Sequence, residues 1–414
     1  MPDRMACRAP ASITGIGLVT PAGIGRATNW ATVTAGRTTA RFLDELSEAP
    51  VTFASVVPST FDVDRLTGRR VSRHYDRSTQ FALVAARAAL SEAGVTPSAL
   101  GDARIAVIIG TAFGGAQTFE ENHARLIAGG AGAINARFLP KGLVNMVAGI
   151  LSIELGANGP AMVVSTACAS GATAIGIGLG LLRSDAADIV VAGGTDASVT
   201  PLHVSGFNKL RALSRARRHP PAKASRPFDA DHDGFVMADG AGLLVLEREA
   251  DAAARGVLPY AKLAGYGATA DAHHITAPDP DGTGAAAAIR DACRDAGLAP
   301  GEIDHVNAHA TSTPIGDAVE AGVLATVTPG ASVTSTKGVT GHTLGAAGAI
   351  EAAYTALTLH TQTAPPVANL SEPCERARPL DLVSRCARQG RFETAISNSF
   401  GFGGHNAILA FTVA

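Results

Sequence analysis

Nowhere in the 414-residue sequence do two cysteines form a Cys-x-x-Cys pair; the five present (Cys7, Cys168, Cys293, Cys374, Cys386) are odd in number and scattered. That argues against a disulfide framework and against the usual zinc-binding spacings, and it fits a chain kept reduced in the cytoplasm. Charge is scarce too. Charged residues make up 17% and the formal net charge is -2, which excludes nucleic-acid binding through overall positive charge. With 46% hydrophobic residues the chain is not mainly disordered. Aromatics amount to 5% against 46 glycines, so the core is expected to be built from small residues and tight turns. No apolar run of signal-peptide length precedes Ser12, and no export signal is expected. The uncharged stretch 155–182 is long enough to cross a bilayer. Asn158, Gly159 and Pro160 punctuate its start, however, and Ser165, Thr166, Ser170 and Thr173 interrupt it. It reads as turn, buried strand and buried helix, with no membrane association.

No linker or low-complexity segment divides the chain. Short β-rich runs at 12–20, 104–110, 161–166, 188–192, 303–307, 332–335 and 395–397 are separated by Ala-rich helical stretches at 79–93, 170–182, 285–296 and 345–359. This alternation predicts an α/β fold with buried, partly parallel sheets covered by helices. Two halves are suggested, 1–255 and 256–414. Each carries a strand that runs into a polar turn and then a small-residue helix, and 240–247 and 402–412 read as the strands that close them.

Four segments carry candidate chemistry. In AMVVSTACASGATAIG a branched apolar strand ends just before Cys168 and a small-residue helix follows. A sulfur there meets the helix N-terminus, where the macrodipole favours the thiolate by ~0.3–1 kcal/mol and backbone N–H groups can hold an oxyanion. The plainer alternative is a small buried hydrophobe. In DHVNAHATSTPIGDAVE a strand delivers His309 into a polar turn, and Pro314 opens a helix bearing Asp317 and Glu320. In VTSTKGVTGHTLGAAG, His342 follows Lys337 by five residues; Lys337 is one of only five lysines and stands in an otherwise uncharged turn. One cysteine with two histidines in small-residue turns makes a plausible Cys-His-His site. An ordinary ion pair with Glu320 is the plainer role for Lys337. In NSFGFGGHNAIL, Phe400 and Phe402 alternate with glycines, either as core aromatics in a tight hairpin or as gates beside backbone N–H groups that approach a reacting carbonyl.

Together with ITGIGLVTPAG and RPFDADHDGFVMADGAG, these segments resemble the elongating β-ketoacyl-acyl-carrier-protein synthases of type II fatty-acid and polyketide assembly, along nearly the whole chain. The resemblance implies a thiolase-like duplicated α-β-α-β-α layered fold with mixed sheets. It implies an acyltransferase in which Cys168 takes the acyl chain, and in which His309 and His342 hydrogen-bond the malonyl thioester as CO2 leaves. The backbone N–H groups of Cys168 and Phe402 would form the oxyanion hole, with Phe402 as the gate. Lys337 and Glu320 match a pair that orients the histidines, with Asp317 beside them; Thr311 and Thr313 match positions that hold a phosphopantetheine arm. That arm belongs to the acyl carrier protein substrate; no metal or redox cofactor of the enzyme itself is implied.

The residue before the Gly114-Gly115 pair, Phe113, matches a position at the inner end of the acyl channel, where a phenyl ring should shorten it. Seven cations and no acid occur within 206–228 (Lys209, Arg211, Arg215, Arg217, Arg218, Lys223, Arg226). The family's carrier proteins are acidic, so Arg211 is expected to help dock one; the alternative is a solvated loop. Ala310 and His405 depart from the usual Gly and Thr. These departures and the Arg-rich, Lys-poor composition lean towards the ketosynthase of a type II polyketide system. A housekeeping fatty-acid elongating synthase is the alternative, and a structural chain-length-factor-like subunit, which would lack the cysteine, is a third. Either a homodimer or a heterodimer with a chain-length-factor-like homologue is expected.

Overall fold

The computed structural model describes residues 9–96, 103–216 and 218–414, so Cys7 and Arg217 fall outside it. In chain order the main strands are β1 (Ala11–Thr20), β2 (Gly23–Ile24), β3 (Ile105–Gly110), β4 (Ala161–Val164), β5 (Ile189–Asp196) and β6 (Gly240–Arg248). They continue as β7 (Ala261–Ala270), β8 (His305–Asn307), β9 (Ser332–Thr334), β10 (Asp381–Leu382), β11 (Thr394–Gly401) and β12 (His405–Thr412). The helices used below are α1 (Arg77–Glu92), α2 (Ala116–Gly129), α3 (Ser170–Arg183), α4 (Pro201–Lys209), α5 (Thr283–Ala296), α6 (Pro314–Val327), α7 (Lys337–Thr340) and α8 (Ala347–Thr361).

The strands hydrogen-bond in the order β10-β9-β8-β11-β12-β7-β1-β6-β5-β3-β4, and β2 pairs with β1. The halves join where Ala11–Ile13 of β1 runs antiparallel to Ala261–Leu263 of β7. Outward from this join both sides repeat one plan: two antiparallel pairings, then two parallel ones. With the two-residue strands β2 and β10 left aside, in each half the strand first in sequence lies at the join, followed by the fifth, fourth, second and third. This is the duplicated, mixed-sheet architecture.

Helix α1 covers β1 and β6, α5 covers β7 and β12, and α3 and α8 pack on each other between the two halves of the sheet. One hydrophobic cluster gathers α3, α8 and the inner strand faces, with satellites under α1 and α5. The central helices approach to backbone contact. A Cβ on Gly171 would lie 2.8 Å from Ala349 N, and one on Gly348 would lie 2.9 Å from Ala172 N. Only glycine permits that spacing.

Three details differ from the sequence patterns. The strand expected over 161–166 stops at Val164, because Ser170 Oγ takes the Thr166 N–H. The closing strand begins at His405 rather than 402, since Gly403 and Gly404 have φ of 86° and 74° and form the turn. Strand β7 is not announced by its sequence, AKLAGYGATA, whose small residues break the branched-apolar pattern. No helix among the described residues is long and apolar enough to cross a membrane.

Candidate active site

Cys168 sits in the turn between β4 and α3, two residues before the first helical residue. Ala167 adopts φ of 50°, the left-handed region that a non-glycine residue occupies at a cost of ~1–2 kcal/mol. Ser170 holds the turn: its Oγ accepts from Thr166 N at 2.9 Å and donates to Ala167 O at 2.6 Å. Across the cleft, the backbone N–H of Phe402 hydrogen-bonds the sulfur. A Cβ on Gly401 would lie 2.6 Å from Thr166 O and 3.2 Å from Cys168 N, so glycine is what lets this hairpin reach the nucleophile turn. The thiol is nevertheless pushed up to about 12, first by burial, and the Lys337 charge opposes this only in part. The expected gain from the helix N-terminus does not leave a resting thiolate.

His309 follows β8. Its backbone N–H and that of Ala310 donate to the two oxygens of Glu320, at 2.9 and 2.7 Å, and Asn398 Nδ2 donates to the same carboxyl at 3.0 Å. Glu320 therefore fixes the turn through its backbone. It does not pair with Lys337, contrary to the sequence expectation: the ammonium of the fully buried Lys337 pairs with Glu351 on α8. The reason is local, since the Glu320 oxygens are already taken by three N–H donors. Burial raises both Glu320 and Glu351 to about 7.

Lys337 Nζ lies 3.4 Å from His309 Nδ1. An ammonium can only donate, so Nδ1 accepts and the ring hydrogen is on Nε2. His342 is anchored by its backbone, its N–H donating to Val236 O at 2.8 Å and its carbonyl accepting from Ala238 N at 3.0 Å. The two imidazoles stand edge to face, 5.4 Å between centroids. Burial, then the Lys337 charge, hold both well below the ordinary histidine value, and the neighbouring His342 adds to the effect on His309. Both rings are thus neutral, and His309 offers its Nε2–H.

Cys168, His309 and His342 line one cavity of about 300 Å³. Phe400 and Phe402 line it as well, and Phe400 packs 5.8 Å from His309. Thr311 and Thr313 stand on its wall with their hydroxyls 3.0 Å apart. Asp317 does not reach the histidines: it accepts from Phe228 N, Ser312 N and His232 Nδ1 and so fastens the turn that carries the threonines. Arg211 is exposed at the rim. Of the other cations in that segment, Arg226 is buried against Asp229 and Arg218 pairs with Asp231, which shrinks the expected basic surface. Phe113 does not line the cavity; it stands behind Phe207, which does, with centroids 6.1 Å apart.

Several contributors escaped the sequence reading. Glu351 had a signal, being the one charge in the small-residue helix α8. Asp196 had none, although its carboxyl accepts from Ala112 N, Phe113 N and Gly345 N and so ties the Phe113 loop to the loop after His342.

The β-ketoacyl synthase N-terminal domain matches residues 9–252, and the C-terminal domain matches residues 260–371. The 3-oxoacyl-[acyl-carrier-protein] synthase 2 of Vibrio cholerae is 40% identical over 407 residues, 96% of this chain and 98% of that protein. The Synechocystis protein of the same name is also 40% identical over 407 residues, 96% and 97% of the two chains. Among solved structures, the ishigamide ketosynthase/chain length factor superposes with a TM-score of 0.92 at 32% identity, covering 98% of this chain and 100% of that one. A type II polyketide ketosynthase, solved with its acyl-carrier protein and bound to the hexaketide, gives 0.90 at 28% identity over the same shares.

Proposed function

Because the chain belongs to the β-ketoacyl synthase family, we propose that it elongates carrier-bound acyl chains by decarboxylative condensation on Cys168. One observation supports this most strongly: the thiol and two neutral imidazoles line a single cavity, with the His309 Nε2–H free to donate. In the first half-reaction the Cys168 sulfur attacks the acyl thioester, and the oxyanion accepts from the N–H groups of Cys168 and Phe402. The carrier's pantetheine sulfur leaves with the thiol proton, so the exchange is proton-neutral.

In the second half-reaction the malonyl thioester carbonyl accepts from His309 and His342. The bond to the carboxylate breaks, CO2 departs, and its electron pair forms an enolate held by these two donors. The enolate carbon bonds to the acyl carbon as the C–S bond to Cys168 breaks; the sulfur then regains a proton from solvent. Rings that resist protonation suit this role, because they stay donors without becoming imidazolium. Lys337, fixed by Glu351, sets the His309 tautomer, and Glu320 sets the position of its turn.

The nucleophile belongs to the first half, 1–255, and the histidines to the second, 256–414. Thr311 and Thr313 hold the phosphopantetheine arm, Phe402 gates the cavity, Phe113 backs the Phe207 that lines it, and Arg211 docks an acidic carrier protein in the cytoplasm. The enzyme works as a dimer, with itself or with a chain-length-factor-like homologue. As to pathway, the 40% relatives carry the synthase 2 name, which favours fatty-acid elongation over the polyketide role towards which the composition leans.

The test is intact-mass spectrometry with acyl carrier protein. Cys168→Ala should show no acyl adduct. His309→Ala and His342→Ala should still acylate yet condense ~100-fold or more slowly, the usual cost of losing one such donor. An adduct on the alanine variant, or wild-type condensation by both histidine variants, would refute the reading.

A further inference from the structure

Asp196, the last residue of β5, is fully buried, and neither half-reaction assigns it a part. Its Oδ1 accepts from Thr111 Oγ1 at 2.8 Å and from Phe113 N at 3.1 Å. Its Oδ2 accepts from Ala112 N at 2.9 Å and from Gly345 N at 2.7 Å. All four donors are uncharged. Neutral donors offset only part of the cost of burying a carboxylate, and burial raises this one to about 6, so it is ionised at pH 8. Its charge also works against the Cys168 thiolate. Activation of the nucleophile is therefore not what it supplies.

Two backbones meet on Oδ2. Ala112 belongs to the first half, in the loop that leaves β3 beside the nucleophile turn, and Gly345 belongs to the second, three residues after His342. They approach so closely that a Cβ on Gly345 would lie 2.4 Å from Ala112 N and 2.5 Å from Asp196 Oδ2. Between His342 and Gly345 stands Leu344, which lines the cavity and has φ of 52°. A leucine keeps such a conformation only where its neighbours hold it. The Gly345 N–H given to Asp196 is one such hold.

We propose that Asp196 is a positioning residue for the condensation step: by fastening Gly345 to Ala112 it fixes Leu344 and the turn that carries His342 at a set distance from Cys168. This rests on the ketosynthase reading. The enolate forms on the histidines of the second half and must reach the thioester carbon on Cys168 of the first, and a misplacement of about 1 Å between reacting groups can cost about 100-fold. Acylation does not use His342, and the nucleophile turn has its own ties in the bonds of Ser170 Oγ to Thr166 N and Ala167 O.

The experiment measures three rates on one sample of each protein: acylation of Cys168 by an acyl-carrier-protein thioester, condensation of that acyl-enzyme with saturating malonyl carrier protein, and alkylation by iodoacetamide at pH 8. Asp196→Ala removes every acceptor; it should acylate within about threefold of wild type, yet its acyl-enzyme should condense about tenfold or more slowly. Asp196→Asn removes the charge but keeps an oxygen for Ala112 N and Gly345 N, while its amide hydrogens face Thr111 Oγ1, which can accept. It should restore most of the condensation rate. Both variants should alkylate about threefold or more faster, because the negative charge near the sulfur is gone. Condensation is counted per acyl-enzyme, so unfolded protein drops out; where the alanine variant yields too little protein, Asp196→Ser, too short to reach both loops, takes its place. Wild-type condensation by the alanine or serine variant overturns the proposal. So does an equal loss in Asp196→Asn, a fall of acylation in step with condensation, or slower alkylation in both variants, since each describes a general loosening of the fold. If wild type itself forms no acyl-enzyme, the ketosynthase reading fails instead.

Discussion

His305, four residues before His309, sits on β8 fully buried, neither ring nitrogen making a hydrogen bond of good geometry among the described residues, with its ring centroid 5.5 Å from that of Phe392. Burial pushes it down to about 3 from an ordinary 6.5. The folded protein keeps this ring neutral, while the unfolded chain takes up a proton below about 6.5. Its contribution to stability is therefore fully present above that value and is lost as pH falls towards 3, by about 1.4 kcal/mol per pH unit. His309 and His342 act in the same direction. Glu320, Glu351 and Asp196 act in the opposite one, since burial raises them and their contribution is lost as pH rises through about 6 to 7. Comparing His305→Phe with wild type isolates the single ring. In urea unfolding, the variant should gain ~2 kcal/mol on wild type between about pH 7 and pH 5. A stability gap that stays constant with pH would mean His305 is not held neutral. None of this was legible in the sequence, where one histidine on a short strand looks like any other. His309 and His342 stood out because polar and small-residue turns surround them, and Lys337 stood out because lysine is rare.

The β11–β12 hairpin does its work through one missing methyl group. Adding a Cβ at Gly401 drives it into the Thr166 carbonyl, and because both partners are backbone the hairpin must retreat from Cys168. Overpacking of this kind costs ~1–3 kcal/mol. The strain falls on the contact that supplies the Phe402 N–H, so Gly401→Ala should slow acylation of Cys168 about tenfold or more. The thiol should also alkylate with iodoacetamide more slowly, its pKa having risen further; full rates in both assays would detach the hairpin from the chemistry. Most elements could be read in the chain, since branched-apolar runs and Ala-rich stretches mark β1, β3, β6, α1, α3, α5 and α8. Strand β7 could not, because its apolar face is made of small residues chosen to fit under α5. The partner of Lys337 could not either: which of two carboxylates an ammonium meets depends on the crossing of α7 and α8, and sequence spacing is silent about that.

At the scale of the whole molecule the sheet ends on the two-residue β10 at one side and on the longer β4 at the other. Among the described residues β4 pairs with β3 alone, and Met162 is exposed upon it. Ile153 is exposed on the helix Met146–Leu155, which packs on β4, and Phe119, Leu126 and Leu139 are exposed on α2 and the helix Phe138–Gly142, which continue the same packed group. An open edge beside apolar surface needs a cover. Val107 N and Thr111 N bond to the carbonyls of Pro160 and Val164, so by strand alternation the backbone groups of Ala161 and Val163 face outward. Val163→Pro therefore removes an outward N–H while leaving the β3 ladder intact. Light scattering should find wild type at twice the 41.8 kDa chain mass, and the variant should dissociate at concentrations ~10-fold higher or more. A wild-type monomer, or a variant that associates as tightly, would assign the edge another role. The repeated strand order also bears on how such a site could arise. In a symmetric pair of half-length chains, any residue at the head of one central helix would also stand at the head of the other, so both partners would have to bear the same group. Fusion into one chain releases the two turns from that identity: one could specialise as nucleophile and its twin as hydrogen-bond donor, a division of labour that a self-paired ancestor could not have inherited.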